Sequence, residues 1–199
     1  NRIDGTNSAI SISVMAHAQG ADGIKVAVRN GVRSIEHGIF LDDEAIGLML
    51  ERGTWLVPTL IAPIWVLESV DAGAQISDAS IRKARDTVGI HAESVARAVA
   101  AGVKVAMGTD AGVGPHGENL RELSLMAKAG MAPAAVLQAT TLEAARLLGV
   151  DDRLGSVEEG KLADLMVMSG DAYNFEDIGH RVEQVWKAGQ RVADGSCPQ

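Results

Sequence analysis

The chain has 199 residues, 47% of them hydrophobic and 22% charged, which is ordinary for one globular domain with a sizeable core. Its formal net charge of −8 argues against nucleic acid or an anionic membrane as the main partner, since both require a basic footprint. A single cysteine, Cys197, excludes an internal disulfide and a thiolate metal cage, so a metal would have to sit on histidine and carboxylate. No apolar run reaches about 18 residues and no cleavable signal pattern is read, so a small-molecule partner and the cytoplasm are the expectations.

In chain order, residues 1–13 (NRIDGTNSAISIS) read as an irregular, turn-prone leader. A first strand is predicted over Ile12 to Ala18, with Val14 and Ala16 on one face and Met15 and His17 on the other. Ala21 to Asn30 follows as a helix, with Ile24, Ala27 and Val28 at i, i+3, i+4 and Gly31 as its stop. The plan repeats in a strand from Val32 to His37 and a helix from near Asp42 to Gly53, with Asp42 or Asp43 as its cap. Strict alternation along this second strand puts Glu36 and His37 on opposite faces.

The third strand is predicted over Thr54 to Leu60, with Pro58 making its end irregular. A long amphipathic helix capped at Ser77 carries Ile81, Ala84, Val88, Ala92, Val95 and Val99 to Gly102. The fourth strand is VKVAMGTDAG, Val103 to Gly112, an apolar run that breaks off at Gly108, Thr109 and Asp110. A helix from about Gly117 to Ala129 comes next, then one with Pro133 at its first position that runs through Leu137, Thr141, Ala144 and Leu148 to Gly149. From Gly155 short alternating runs broken by glycine predict a small β element, with a boundary near Asp151 dividing residues 14–150 from 151–199.

Three strand-like runs therefore end on a chemistry-bearing side chain: VMAHAQG on His17, VRSIEHG on His37 and VKVAMGTDAG on Asp110. Parallel strands joined by helices bring their C-terminal ends together, which is where barrel enzymes keep their chemistry. Two imidazoles and a carboxylate there make a metal-ligand set that leaves an open position on a divalent ion. Taken singly, His17 also reads as a hydrogen-bonded core histidine and Asp110 as a turn residue. His91 reads as a core or helix-surface histidine, and His180 as exposed.

These ordered motifs, with SIEHG, VPTL and the LLG...LGSVEEGKLADLMV tail, resemble the second half of an amidohydrolase-superfamily metal-dependent hydrolase. The similarity is to the imidazolonepropionase-like and Xaa-Pro dipeptidase-like branch, over roughly Val14 to Val192. The resemblance implies an α/β fold, half of a (β/α)8 TIM-type barrel matching strands 5 to 8, with a small C-terminal β element. It implies His17, His37 and Asp110 as ligands of one divalent ion, with zinc the expected metal. Asp110 would also take the proton from the attacking water, and His116 in GPHGEN matches a position near substrate.

A His-x-His pair and a bridging lysine have no counterpart here. The implied activity is hydrolysis of an amide, ester, lactone or phosphotriester bond, with a dipeptide or acyl-amino acid amide first and a phosphotriesterase or lactonase as the alternative. A half barrel that only folds, oligomerises or binds metal is the reading of another class. Four barrel strands expose two edges and an inner face, so a homodimer or higher homo-oligomer is expected.

Overall fold

A computed structural model of the chain describes residues 13–194, so most of the expected leader lies outside the described residues. The first half alternates strand and helix: β1 (Met15–Ala18), α1 (Ala21–Arg29), β2 (Ser34–His37), α2 (Asp43–Arg52), β3 (Trp55–Val57), α3 (Ile61–Asp71) and α4 (Asp78–Ala101). The second half carries α5 (Arg121–Lys128), α6 (Pro133–Thr140), α7 (Leu142–Leu148), β4 (Leu165–Met168), β5 (Val182–Lys187) and β6 (Gln190–Asp194).

The strands β1, β2 and β3 form a parallel sheet in that order, with His17 opposite Glu36 and Ile35 opposite Leu56. Alternation sends Ile35, Leu56 and Val105 to the face that packs on Ile24, Val28, Ala45, Met49 and Val95 of the helices. Trp55, Val57 and Ala106 point to the opposite face, where Ala144 and Leu147 of α7 pack on them. Much of that second face stays open, with a cavity of about 250 Å³ lined by Met15, Glu36, Val57 and Leu148. A second sheet, β4-β5-β6, is antiparallel.

The expected strands are shorter than the apolar runs, and the fourth is reduced to a single parallel bridge between Leu56 and Val105. Two hydrogen bonds hold it, Leu56 N–H to the Lys104 carbonyl at 2.8 Å and Ala106 N–H to the Leu56 carbonyl at 3.0 Å. The ladder ends there because Pro58 follows β3 without an N–H to donate, and Thr59 turns away at φ 48°. Among the described residues the parallel sheet does not close into a barrel.

Local signals set most helix ends. Asp42 caps α2 by accepting from Ala45 N–H at 2.7 Å, and Gly53 closes that helix in the left-handed region. Ser77 caps α4, and Pro133 opens α6. The predicted run from Pro133 to Leu148 breaks at Thr141, where Thr140 and Thr141 hydroxyls donate back to the Val136 and Leu137 carbonyls. Such back-bonding competes with the helix ladder and bends it.

Helix α3 has no counterpart in the sequence reading. Its IAPIWVL start is apolar all round, so it shows no helical stripe, and Pro63 sits in the first turn, where no amide donor is needed. What starts it is remote: the Glu122 carboxylate on α5 accepts from Leu60 N–H and Ile61 N–H, each at 2.8 Å. Burial pushes the pKa of this fully enclosed carboxyl up to about 8, against the two amide donors that hold it down.

Candidate active site

The site lies at the C-terminal end of the parallel sheet. His17 and His37 come from adjacent strands, and their rings meet edge to face with His17 Nδ1 and His37 Nε2 2.7 Å apart. Both nitrogens cannot present lone pairs at that separation, so a proton or another cation must lie between them. Thr59 Oγ1 stands 2.6 Å from His37 Nδ1. When Nδ1–H donates to that hydroxyl, Nε2 keeps its lone pair for a cation. Burial and then the neighbouring His17 hold the His37 pKa below the ordinary imidazole value, so the neutral form needed in a ligand is favoured.

Glu36 and His37 do not obey strict alternation. Glu36 lines the open second face beside Ser34, whose hydroxyl donates to it at 2.6 Å, and burial raises its pKa. His37 escapes the opposite face because its φ of 71° turns the chain and reorients the side chain. Thr59 at 48° and Asp110 at 57° share this left-handed conformation at the equivalent ends of the next two segments. Such φ values strain residues with a Cβ, a β-branched threonine above all, and concentrate at functional sites.

Asp110 lines the same cavity as both histidines, and its charge acts on His37 and Glu36. It does not join the imidazoles as a third close ligand: among the described residues no group of three or more His, Cys, Asp or Glu stands together to hold a metal ion. Gly108 lets this segment approach β3, since a Cβ there would lie 2.5 Å from Val57 Cγ1. His116 is exposed on the following loop and is not among the cavity-lining residues.

His91 is a buried residue of α4 with a role that its helical spacing does not reveal. Its Nε2 lies 2.9 Å from the His37 carbonyl oxygen, while Nδ1 is buried with no partner. A carbonyl only accepts, so Nε2 carries the proton. Desolvation lowers the His91 pKa to about 4, which keeps the ring neutral. His180 is exposed, at the other end of the chain.

A parallel sheet flanked by helices, with two imidazoles and a carboxylate around one cavity at its C-terminal end, defines an α/β protein with a candidate active site at that end. Residues 7–192 match the amidohydrolase family, and the chain belongs to that family. It is 31% identical over 185 residues to ochratoxinase of Aspergillus niger, covering 89% of this chain and 37% of that protein. Imidazolonepropionase of Treponema denticola is 27% identical over 180 residues, covering 86% of this chain and 38% of that protein. The crystal structure of a Xaa-Pro dipeptidase with bound methionine in its active site superposes with a TM-score of 0.83 at 41% identity, covering 91% of this chain and 45% of that one. The chain thus spans less than half the length of these relatives.

Proposed function

We propose that this chain carries part of the active site of a metal-dependent hydrolase, within one half of a (β/α)8 barrel, and that its substrate is a dipeptide or acyl-amino acid amide. The observation that carries the reading is the approach of His17 Nδ1 to His37 Nε2 at 2.7 Å at the ends of adjacent parallel strands. The donor chemistry suits a divalent ion, with zinc first: two imidazoles, one of them oriented by Thr59, beside the Asp110 carboxylate. Likeness to a Xaa-Pro dipeptidase supports the amide substrate.

His17 and His37 would hold the cation, which when bound supplies Lewis-acid polarisation of the scissile carbonyl and a more acidic water. Asp110 stands as the general base: its carboxylate takes the proton from the attacking water and returns it to the leaving amine. Thr59 fixes the tautomer of His37, and His91 fixes its carbonyl. Ile39, Pro63 and Val66 make the cavity wall apolar, which strengthens each charge interaction within it.

The test is metal content and zinc calorimetry on the purified chain, with a panel of amides, esters, lactones and phosphotriesters. Stoichiometric zinc that His17→Ala and His37→Ala abolish supports the reading. A chain that takes up no zinc and cleaves no member of the panel is an inert remnant, and the reading fails.

We also propose that a second copy covers the open sheet face. Met15 is 67% exposed and Leu148 74%, an arrangement natural sheets cover.

A further inference from the structure

Helix α3 begins with backbone positions that have no partner inside the helix: Leu60, Ile61, Ala62 and Pro63. Pro63 has no N–H to satisfy, and Ala62 N–H reaches the Thr59 carbonyl at 3.1 Å. The N–H groups of Leu60 and Ile61 remain, and no side chain at the helix start caps them. Thr59 is the one polar side chain between Val57 and Ile64, and threonine is a preferred cap. Its hydroxyl is engaged elsewhere, 2.6 Å from His37 Nδ1. Glu122, fully buried on α5, takes both amides instead, at 2.8 Å each.

From this division of labour we infer that Glu122 is a positioning residue for the site: by capping α3 from a neighbouring helix, it leaves the Thr59 hydroxyl free to fix the tautomer of His37. The inference rests on the reading of His37 as a metal ligand and adds the group that holds its partner in place. Thr59 is β-branched and sits at φ 48°, a strain that persists only where the surroundings over-determine it. Pro58 fixes its own φ just before Thr59, and the Glu122 carboxylate fixes the two peptides just after it. Without that carboxylate, the side-chain acceptor left within the segment is the Thr59 hydroxyl, and drawing it to a helix amide takes it from His37. The same cap places Ala62, Pro63 and Val66, which line the cavity, although Glu122 itself does not.

Two readouts on the full chain test this: the His37 tautomer, from long-range nitrogen-15 spectra of the imidazoles in the zinc-free chain, and zinc affinity by calorimetry. Wild type is expected to hold the Nδ1–H form. Thr59→Val removes the hydroxyl and keeps the shape, while Glu122→Gln leaves one acceptor for two amides. Each should move His37 to a mixture of tautomers and weaken zinc about tenfold, as losing a partner behind a metal ligand does. In the double variant zinc should bind no more weakly than in Thr59→Val, whereas independent effects would multiply to about a hundredfold. Arg121→Met removes the adjacent ion pair from α5 to Glu68 of α3 and should change neither readout. Should Glu122→Gln fail to fold, Glu122→Asp, which draws both oxygens back by one methylene, should shift the tautomer in the same direction. A wild-type tautomer in whichever Glu122 variant folds overturns the inference, as does an Nε2–H tautomer in wild type or multiplied effects in the double variant. A tautomer change in Arg121→Met equal to that in the Glu122 variant also overturns it, since docking of the two helices would then suffice. If the chain takes up no zinc, the tautomer still decides the inference, and the hydrolase reading is the one that fails.

Discussion

His91, in the middle of α4, donates Nε2–H to the carbonyl oxygen of His37 across 2.9 Å. A long helix is thereby tied to the peptide whose left-handed turn aims the His37 ring at His17. His91→Leu leaves that carbonyl buried and unpaired, a loss of about 1–3 kcal/mol of stability. Zinc affinity should fall about tenfold, as it does when a group behind a metal ligand is removed. His91→Gln, which keeps an N–H donor, should recover part of both. Zinc titration beside urea denaturation reads the two effects, and wild-type zinc affinity in His91→Leu would reduce the contact to packing.

Glu122 makes stability depend on pH in a sense opposite to that of a salt-bridged carboxylate. Its folded pKa of about 8 lies above the reference value of 4.5. Between those pH values the folded chain keeps a proton that the unfolded chain has released, so this group's contribution falls as pH rises. Glu122→Gln cannot ionise and offers one acceptor to the two amides of Leu60 and Ile61. The variant should be less stable than wild type at pH 5 by about 1–3 kcal/mol. That deficit should shrink toward pH 8. Denaturant midpoints at the two pH values check this, and a deficit constant with pH would count against it.

Asp110→Asn keeps the size of the side chain and removes the base. Hydrolysis by the zinc-loaded chain should drop at least about 10²-fold, the usual loss when general-base catalysis is removed. His180→Ala, at an exposed position outside the cavity, should leave the rate within about twofold, since it touches no catalytic group. A wild-type rate in Asp110→Asn would place the chemistry elsewhere.

Light scattering after size exclusion tests the second copy on the open face. The expected result is a dimer at micromolar concentration that Met15→Lys converts to monomer, because a charge there would be buried against an apolar partner surface. A wild-type monomer at that concentration refutes the assembly.

Residue order alone determines a good deal of this chain. Short-range sterics and period mark the apolar runs, the caps at Asp42 and Ser77 and the glycine stops at Gly53 and Gly102. Because parallel strands align their C-terminal ends, the sequence also points to the meeting of His17 and His37. Tertiary structure decides the rest. The direction of His37 follows from a φ of 71° that local preference disfavours, and residues distant in sequence surround it: Thr59, 22 residues away, at its ring and His91, 54 residues away, at its carbonyl. The start of α3 depends on a carboxylate 62 residues from Leu60. The position of Asp110 follows from a left-handed φ of 57° at the end of a segment that Gly108 lets approach β3. Periodicity records which face of an element is apolar. It does not record which distant donor satisfies a buried carbonyl, and that pairing is fixed only when the elements pack.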